Sequence, residues 1–163
     1  MEVDIYLASK NTSFSTFQQV EVLFKQLYEG MEKQGLSLNL QNNGPQIWIR
    51  QLKKSLGKFQ VLVIAEELGS VIGFGVGAIR LAPDYLEIKK VGLITHINIT
   101  PEKRRNRIGR KIVHELEAWF SENKVDSIEL EVLVNNESGE HFWGELGYQK
   151  NLIKMKKIAG NFN

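Results

Sequence analysis

The chain contains no cysteine. A disulfide framework, a cysteine-ligated zinc and a catalytic thiol are therefore excluded. Histidine is scarce, and the 3 present are scattered without carboxylates at ligand spacing, so no metal site is expected. No apolar run approaches the ~20 residues that a membrane span needs. The start, Met1-Glu2-Val3-Asp4, has neither a basic nor an apolar region of a secretory signal. The expectation is a cytoplasmic protein with no membrane partner. Charge of one sign is also lacking: the net charge is +2, too small to demand a polyanion. No internal repeat, low-complexity tract or linker divides the 163 residues, which suit a single domain spanning 1–163. Hydrophobic residues at 42% and charged residues at 25% match a globular composition and argue against disorder.

Periodicity supplies the elements. Val3 to Leu7 alternates as a short strand would. Asn11-Thr12-Ser13 and Ser15 mark a helix start, with Ser15 and Gln18 as a capping box. Val20, Leu23, Phe24, Leu27, Tyr28 and Met31 recur at helical spacing, and Gly35 stops the run. After the loop Asn42-Asn43-Gly44, Pro45 opens a second helix with Trp48, Ile49, Leu52 and Leu56, ended by Gly57. Val61 to Ala65 reads as a buried strand, Glu67-Leu68-Gly69-Ser70 as a hairpin turn, and Val71 to Arg80 as its partner. A loop at Pro83-Asp84 leads to a strand from Leu93 to Thr100. Ile108, Ile112, Val113, Leu116, Trp119 and Phe120 share one helical face. Ile128, Leu130, Val132 and Val134 alternate as a strand. A short helix from Ser138 to Leu146 ends at Gly147, and a last strand covers Leu152 to Lys157. The order β-α-α-β-β-β-α-β-α-β indicates an α/β (α+β) fold: a mixed sheet with helices on both faces.

Charge concentrates in one place. Between Lys103 and Lys111, 6 of 9 positions are Lys or Arg. This basic turn follows a strand and enters an amphipathic helix. The free N–H groups and positive end of such a helix attract an anion. The helix dipole contributes only ~0.3–1 kcal/mol, so the arginines would carry more through charge-assisted hydrogen bonds to phosphate. The alternative is a solvated basic helix start without a ligand.

Two motifs sharpen the choice. Ile99-x-Pro101 followed by Arg104-x-x-Arg107-x-Gly109 resembles the acetyl-CoA loop of the GCN5-related N-acetyltransferase (GNAT) superfamily, R/Q-x-x-G-x-G/A. Downstream, Asn136-x-x-Gly139-x-x-Phe142-Trp143-x-x-x-Gly147-Tyr148 is similar to that family's N-x-x-A-x-x-F-Y-x-x-x-G-F. The resemblance covers Leu93 to Lys156 well, Val61 to Arg80 by strand order, and hardly touches the first sixty residues. It implies the GNAT fold, with a central sheet of about six to seven strands. It also implies acetyl-CoA as cosubstrate and no metal. Backbone groups of Ile97 and Ile99, with Asn98 between them, would pair with the pantetheine arm as an added strand does. Backbone N–H groups of Arg104, Arg105, Asn106, Arg107, Ile108, Gly109 and Arg110 would cradle the pyrophosphate. Asn136 and Phe142 would line the arm. A backbone N–H near Ile97 would polarise the thioester carbonyl.

This chain departs from the family pattern twice. The family's first loop glycine is Arg107, which has a Cβ and prefers φ below zero; it can still begin a right-handed helix. The family's tyrosine acid is Trp143, and indole supplies no proton. A thiol has a reference pKa of about 8.5, so coenzyme A leaves as thiolate with little help. The amine side is harder. A lysine-type amine of pKa ~10.4 is neutral only about once in 2500 at pH 7, a deficit near 4.6 kcal/mol.

His96, just before the cofactor segment, is the first candidate for a general base. Alternation puts it on the face of Ile94 and Asn98. The plainer reading is a hydrogen-bonded histidine lining the cleft. Glu131 on the adjacent strand is the alternative base, or part of a solvated face. His114 and His141 read as surface helix residues. Trp48, Leu52 and Leu56 read as core or as acceptor-pocket walls, and Asp84, Tyr85 and Glu87 as a loop that could face an amine substrate. Gly73-x-Gly75-x-x-Ala78 mimics a dinucleotide fingerprint, but it lies within a strand and runs into Pro83, so it is rejected. Gly73, Gly75 and Gly77 instead bare one strand face for the close approach of a substrate or, the preferred reading, a packed helix.

The sequence reading is thus an N-acetyltransferase moving acetyl from acetyl-CoA directly to a primary amine of a small molecule or a protein. The alternative is a non-catalytic acyl-CoA-binding module of the same fold. A nucleic-acid partner ranks low, because interleaved aromatics and a basic total are lacking. A homodimer is common in the family and is left open.

Overall fold

The buried run at the middle of the chain builds the centre of the sheet. The computed structural model describes residues 2–160. β2 (Gln60–Glu67) and β3 (Ser70–Leu81) form a hairpin. Leu68 and Gly69 connect them at φ 51° and 77°. Two positive φ values are what a two-residue turn needs to match the strand twist. Val61 to Ala65 are all buried, because both faces of this strand are covered. β1 (Asp4–Leu7) pairs antiparallel with β2, and β4 (Lys90–Ile99) antiparallel with β3. β5 (Ser127–Leu130) joins β4 in parallel, giving the order β1-β2-β3-β4-β5.

The fold class read from the sequence is the one observed. α1 (Phe14–Lys33) and α2 (Gly44–Ser55) pack on one face, around Leu62, Ile64, Phe74 and Val76. α3 (Ile108–Glu122) and α4 (Glu137–Glu145) belong to the other, with Val61, Val63, Ile72 and Ile94. The bare glycine face is where α3 settles. A Cβ on Gly75 would stand 2.5 Å from the Ile112 side chain, and one on Gly92 would stand 2.7 Å from the Phe120 ring. The helix therefore approaches closer than any strand with side chains there would allow.

Three sequence expectations are corrected. The N-cap of α1 is Ser13, not Ser15: Ser13 Oγ accepts from the Thr16 N–H at 3.0 Å, which places Ser15 already inside the first turn. β5 ends at Leu130 rather than Val134, because the chain leaves β4 after four paired residues. Leu152 to Lys157 forms no strand, so the sheet of the described residues has five strands rather than six to seven. Its alternation has no neighbouring strand to bond. Leu152, Ile153 and Met155 stay exposed, while Lys154 pairs with Glu131 at 3.3 Å and Lys156 donates to the Ser37 carbonyl at 3.3 Å.

Helix ends elsewhere follow the sequence. Gly35 and Gly147 take positive φ just past α1 and α4. The bonds Leu36 N–H to Met31 O and Tyr148 N–H to Trp143 O close each last turn.

Candidate active site

The site begins with an irregularity in β4. Val76 pairs with His96 but Gly77 pairs with Ile94, so Thr95 is an extra residue, a β-bulge. Strict alternation therefore fails at Thr95. His96 and Asn98 do share a face, toward α1 and α2, but Ile94 lies on the opposite face among the α3 contacts. The expectation that Ile94 shares the face of His96 is overturned by this one inserted residue.

Beyond the bulge β4 has a partner on one side only. β5 pairs with Val91 to Ile94 and no further. Thr100 N–H donates to the Ile72 carbonyl at 2.9 Å, so its backbone points at β3. Backbone direction alternates along a strand, so Asn98 also points at β3, while Ile97 and Ile99 point away into the gap. Arg104 Nε donates to the Ile99 carbonyl at 3.0 Å across that gap. A short edge of β4 is thus left without a strand neighbour where β5 ends. The side chains of Ile97 and Ile99 pack on the α3 face, and the Asn98 amide donates to the Leu23 carbonyl of α1 at 3.0 Å.

The edge runs into a tight 3-10 turn, Pro101–Lys103, and then into the N terminus of α3. Arg107 is the N-cap residue of α3 and sits at φ 61° and ψ 8°. It does not begin the helix in right-handed conformation, as its Cβ led one to expect. It takes the left-handed conformation that a glycine would take, and Arg105 does the same at φ 65°. No side chain caps α3, so the N–H groups of Ile108, Gly109 and Arg110 have no partner within the helix. Lys103 pairs with Glu67, and Arg110 with Glu145 at 2.6 Å. Arg105, Arg107 and Lys111 enter no ion pair among the described residues. Asn106 and Ile108 line a groove of about 410 Å³ with Glu67, Lys103 and Lys111. A Cβ on Gly109 would stand 3.2 Å from the Phe142 ring, so glycine there lets α4 lie against the first turn of α3.

The downstream motif serves α4 first. Asn136 is its N-cap, and Asn136 Oδ1 accepts from Gly139 N–H at 3.1 Å. Trp143 is buried in the α3-side core with Phe142 and Tyr148 edge-on to it at 4.9 and 5.2 Å. The Tyr148 hydroxyl donates to Glu117 at 2.9 Å. Burial and that carboxylate push its pKa up, so it holds its proton firmly.

His96 lies on the α1–α2 side, its ring centroid 5.3 Å from Phe24 and 5.5 Å from Trp48. Burial lowers its pKa to about 4, so the imidazole is neutral at physiological pH. Its Nδ1 lies 2.9 Å from Thr95 Oγ1, and that hydroxyl lies 3.4 Å from the Val76 carbonyl. Thr95 was missed in the sequence, because nothing in it announces a bulge. Glu131 lies beyond the end of β5, exposed and paired with Lys154, with no bond to His96. His114, Asp84, Tyr85 and Glu87 are exposed, and His141 pairs with Glu145 at 3.4 Å. Among the described residues no three His, Asp or Glu side chains gather as a metal set, and no helix is long and apolar enough to cross a membrane.

No curated protein sequence matches the chain. An aminoglycoside N-acetyltransferase, AAC(6')-Iy in complex with CoA, superimposes with a TM-score of 0.76 at 16% identity, covering 96% of this chain and 95% of that one. A mutant of the BH1408 protein of Bacillus halodurans gives a TM-score of 0.79 at 19% identity, with 95% and 98% covered. The aminoglycoside acetyltransferase meta-AAC0020 from an uncultured soil metagenomic sample, in complex with sisomicin, gives 0.71 at 14% identity, with 96% and 95% covered. These likenesses establish the fold. The model of the acetyltransferase (GNAT) family matches residues 24–148, from the middle of α1 to the turn after α4. The chain is therefore a member of the GNAT family of acetyltransferases.

Proposed function

We propose that this protein transfers the acetyl group of acetyl-CoA directly to a primary amine. One observation carries the reading: the edge of β4 at Ile97 and Ile99, without a strand partner among the described residues, leads straight to the uncapped N terminus of α3. An extended amide-bearing arm can add to that edge as a strand would. A pyrophosphate at its end meets free N–H groups, the helix dipole and the unpaired Arg105 and Arg107. Bound acetyl-CoA supplies the thioester.

The residues divide the work as follows. Ile97 N–H donates to the thioester oxygen as negative charge develops there. The amine lone pair attacks the carbonyl carbon; the C–N bond forms, the C–S bond breaks, and the sulfur leaves as thiolate. His96 takes the proton released by nitrogen. If the Thr95 hydroxyl donates to Val76 O, its oxygen accepts from His96 Nδ1–H, which leaves the Nε2 lone pair as acceptor. No acid is needed for the thiolate, whose reference pKa of about 8.5 lies near the working pH. Trp143 then costs little, and Tyr148 stays locked to Glu117.

The buried Trp143 and the locked Tyr148 also favour a second reading, an acyl-CoA-binding module without turnover. Calorimetric titration of acetyl-CoA, with Arg105→Ala/Arg107→Ala as control, tests the shared premise. Binding weakened in the control supports both readings, and CoA release on adding amines then selects the enzyme. Absence of binding at near-millimolar ligand sinks both.

A further inference from the structure

Four rings meet beside the open edge of β4. Trp48 stacks on Phe24 with centroids 3.9 Å apart and planes at 9°. His96 packs against both and lies 6.2 Å from Tyr28. Phe24 is buried, but Trp48, Tyr28 and His96 are only half-buried. The cluster is a wall with an open side rather than a sealed core.

Acidic charge does not reach His96. α2, β3 and β4 contain no Asp or Glu. On α1, Glu21 and Glu32 share the helix face of Phe24 and Tyr28, three residues before the one and four after the other. Glu29 is exposed and pairs with Lys25. A carboxylate close to His96 would raise its pKa, yet burial, which lowers it, is the one cause acting on the group. A polycation whose reacting nitrogen sat at His96 would lose water and gain no carboxylate there in return.

We infer that the acceptor is an aromatic monoamine whose ring lies against Trp48 and Tyr28 and whose nitrogen reaches His96. This rests on the transferase reading above and adds the acceptor's class to it. AAC(6')-Iy and meta-AAC0020 share the fold and are aminoglycoside acetyltransferases. This chain keeps their architecture and presents aromatic surface where a polycation would require acid. The amine enters uncharged, since nothing on the wall holds an ammonium, and the proton lost on acylation goes to His96.

The test compares kcat/KM for 2-phenylethylamine, aniline, spermidine and neamine, by CoA release at saturating acetyl-CoA. The aromatic amines are expected to exceed both polycations by at least about tenfold. Trp48→Leu raises KM for 2-phenylethylamine about tenfold and leaves the Kd for acetyl-CoA unchanged. Trp48 packs on Phe24, so a second variant that does not depend on that contact is included. Tyr28→Glu, at a half-buried position, raises kcat/KM for spermidine and lowers it for 2-phenylethylamine. Equal or faster turnover of spermidine or neamine by the unaltered protein overturns the acceptor class and leaves the transferase standing. CoA release with none of the four, while acetyl-CoA binds, removes the transferase reading and this inference with it.

Discussion

Replacing Arg107 by glycine is expected to strengthen the fold and weaken the phosphate site, two effects of opposite sign from one residue. Arg107 holds φ 61° and ψ 8° at the N-cap of α3. That conformation costs a residue with a Cβ about 1–2 kcal/mol. Glycine removes the cost, but its freedom in the unfolded chain returns ~0.4–1 kcal/mol. The net gain is ~0.5–1 kcal/mol, or a rise in Tm of about 1–4 °C for a chain of this size. Arg107→Ala is the control, since it loses the same guanidinium and keeps the Cβ. Urea and thermal unfolding of the three proteins isolate the backbone contribution as the difference between Gly and Ala. The loss of one charge-assisted hydrogen bond should weaken acetyl-CoA binding in both variants by ~1.5–3 kcal/mol, about 10- to 150-fold in Kd. The reasoning is refuted if the glycine variant is no more stable than the alanine variant. It is refuted separately if either variant binds acetyl-CoA as tightly as the parent.

Two further outcomes follow from the packing and from the titration of His96. Gly92→Ala would drive a Cβ to within 2.7–3.0 Å of the fully buried Phe120 ring. It should destabilise by ~1–3 kcal/mol in urea unfolding. Gly144→Ala on α4 meets nothing within 4 Å, so it should stabilise by ~0.5–1 kcal/mol, and equal effects at the two sites would contradict the close-approach argument. His96 titrates at about 4 in the folded protein against its ordinary 6.5. Between those values the unfolded chain binds the extra proton, so stability is fully present above pH 6.5 and is lost as pH falls through about 4. The amount is ~3 kcal/mol, and His96→Gln should flatten that part of the pH–stability curve. Asp126, held below its ordinary pKa by the Lys90 and Lys89 N–H groups, acts in a lower window and leaves this one clear.

How far the sequence could be read depended on the range of the forces involved. The glycine stripe at Gly73, Gly75 and Gly77 was legible as a helix seat, because bare backbone on one strand face has few other uses. The turn at Leu68-Gly69 and the stops at Gly35 and Gly147 were legible because backbone sterics act within a few residues. The basic turn and the Asn136 to Tyr148 motif located the site for the same reason: their residues are contiguous. The last strand was not legible, since alternation in Leu152 to Lys157 states a preference and only a neighbouring strand can supply the ladder.

Local chemistry along the chain therefore determined the element order up to α4, the basic helix start and the candidate base. Tertiary structure decided what those parts do. A bulge at Thr95 appears only when β4 must register against β3, and it turned His96 toward α1 and α2 while leaving Ile94 behind. Arg105 and Arg107 hold left-handed backbone between the 3-10 turn and α3, against their own preference. The wall of Phe24, Tyr28, Trp48 and His96 draws on three elements far apart in sequence, α1, α2 and β4. Pairing and packing between distant segments are cooperative properties of the whole fold, and no window of residues contains them.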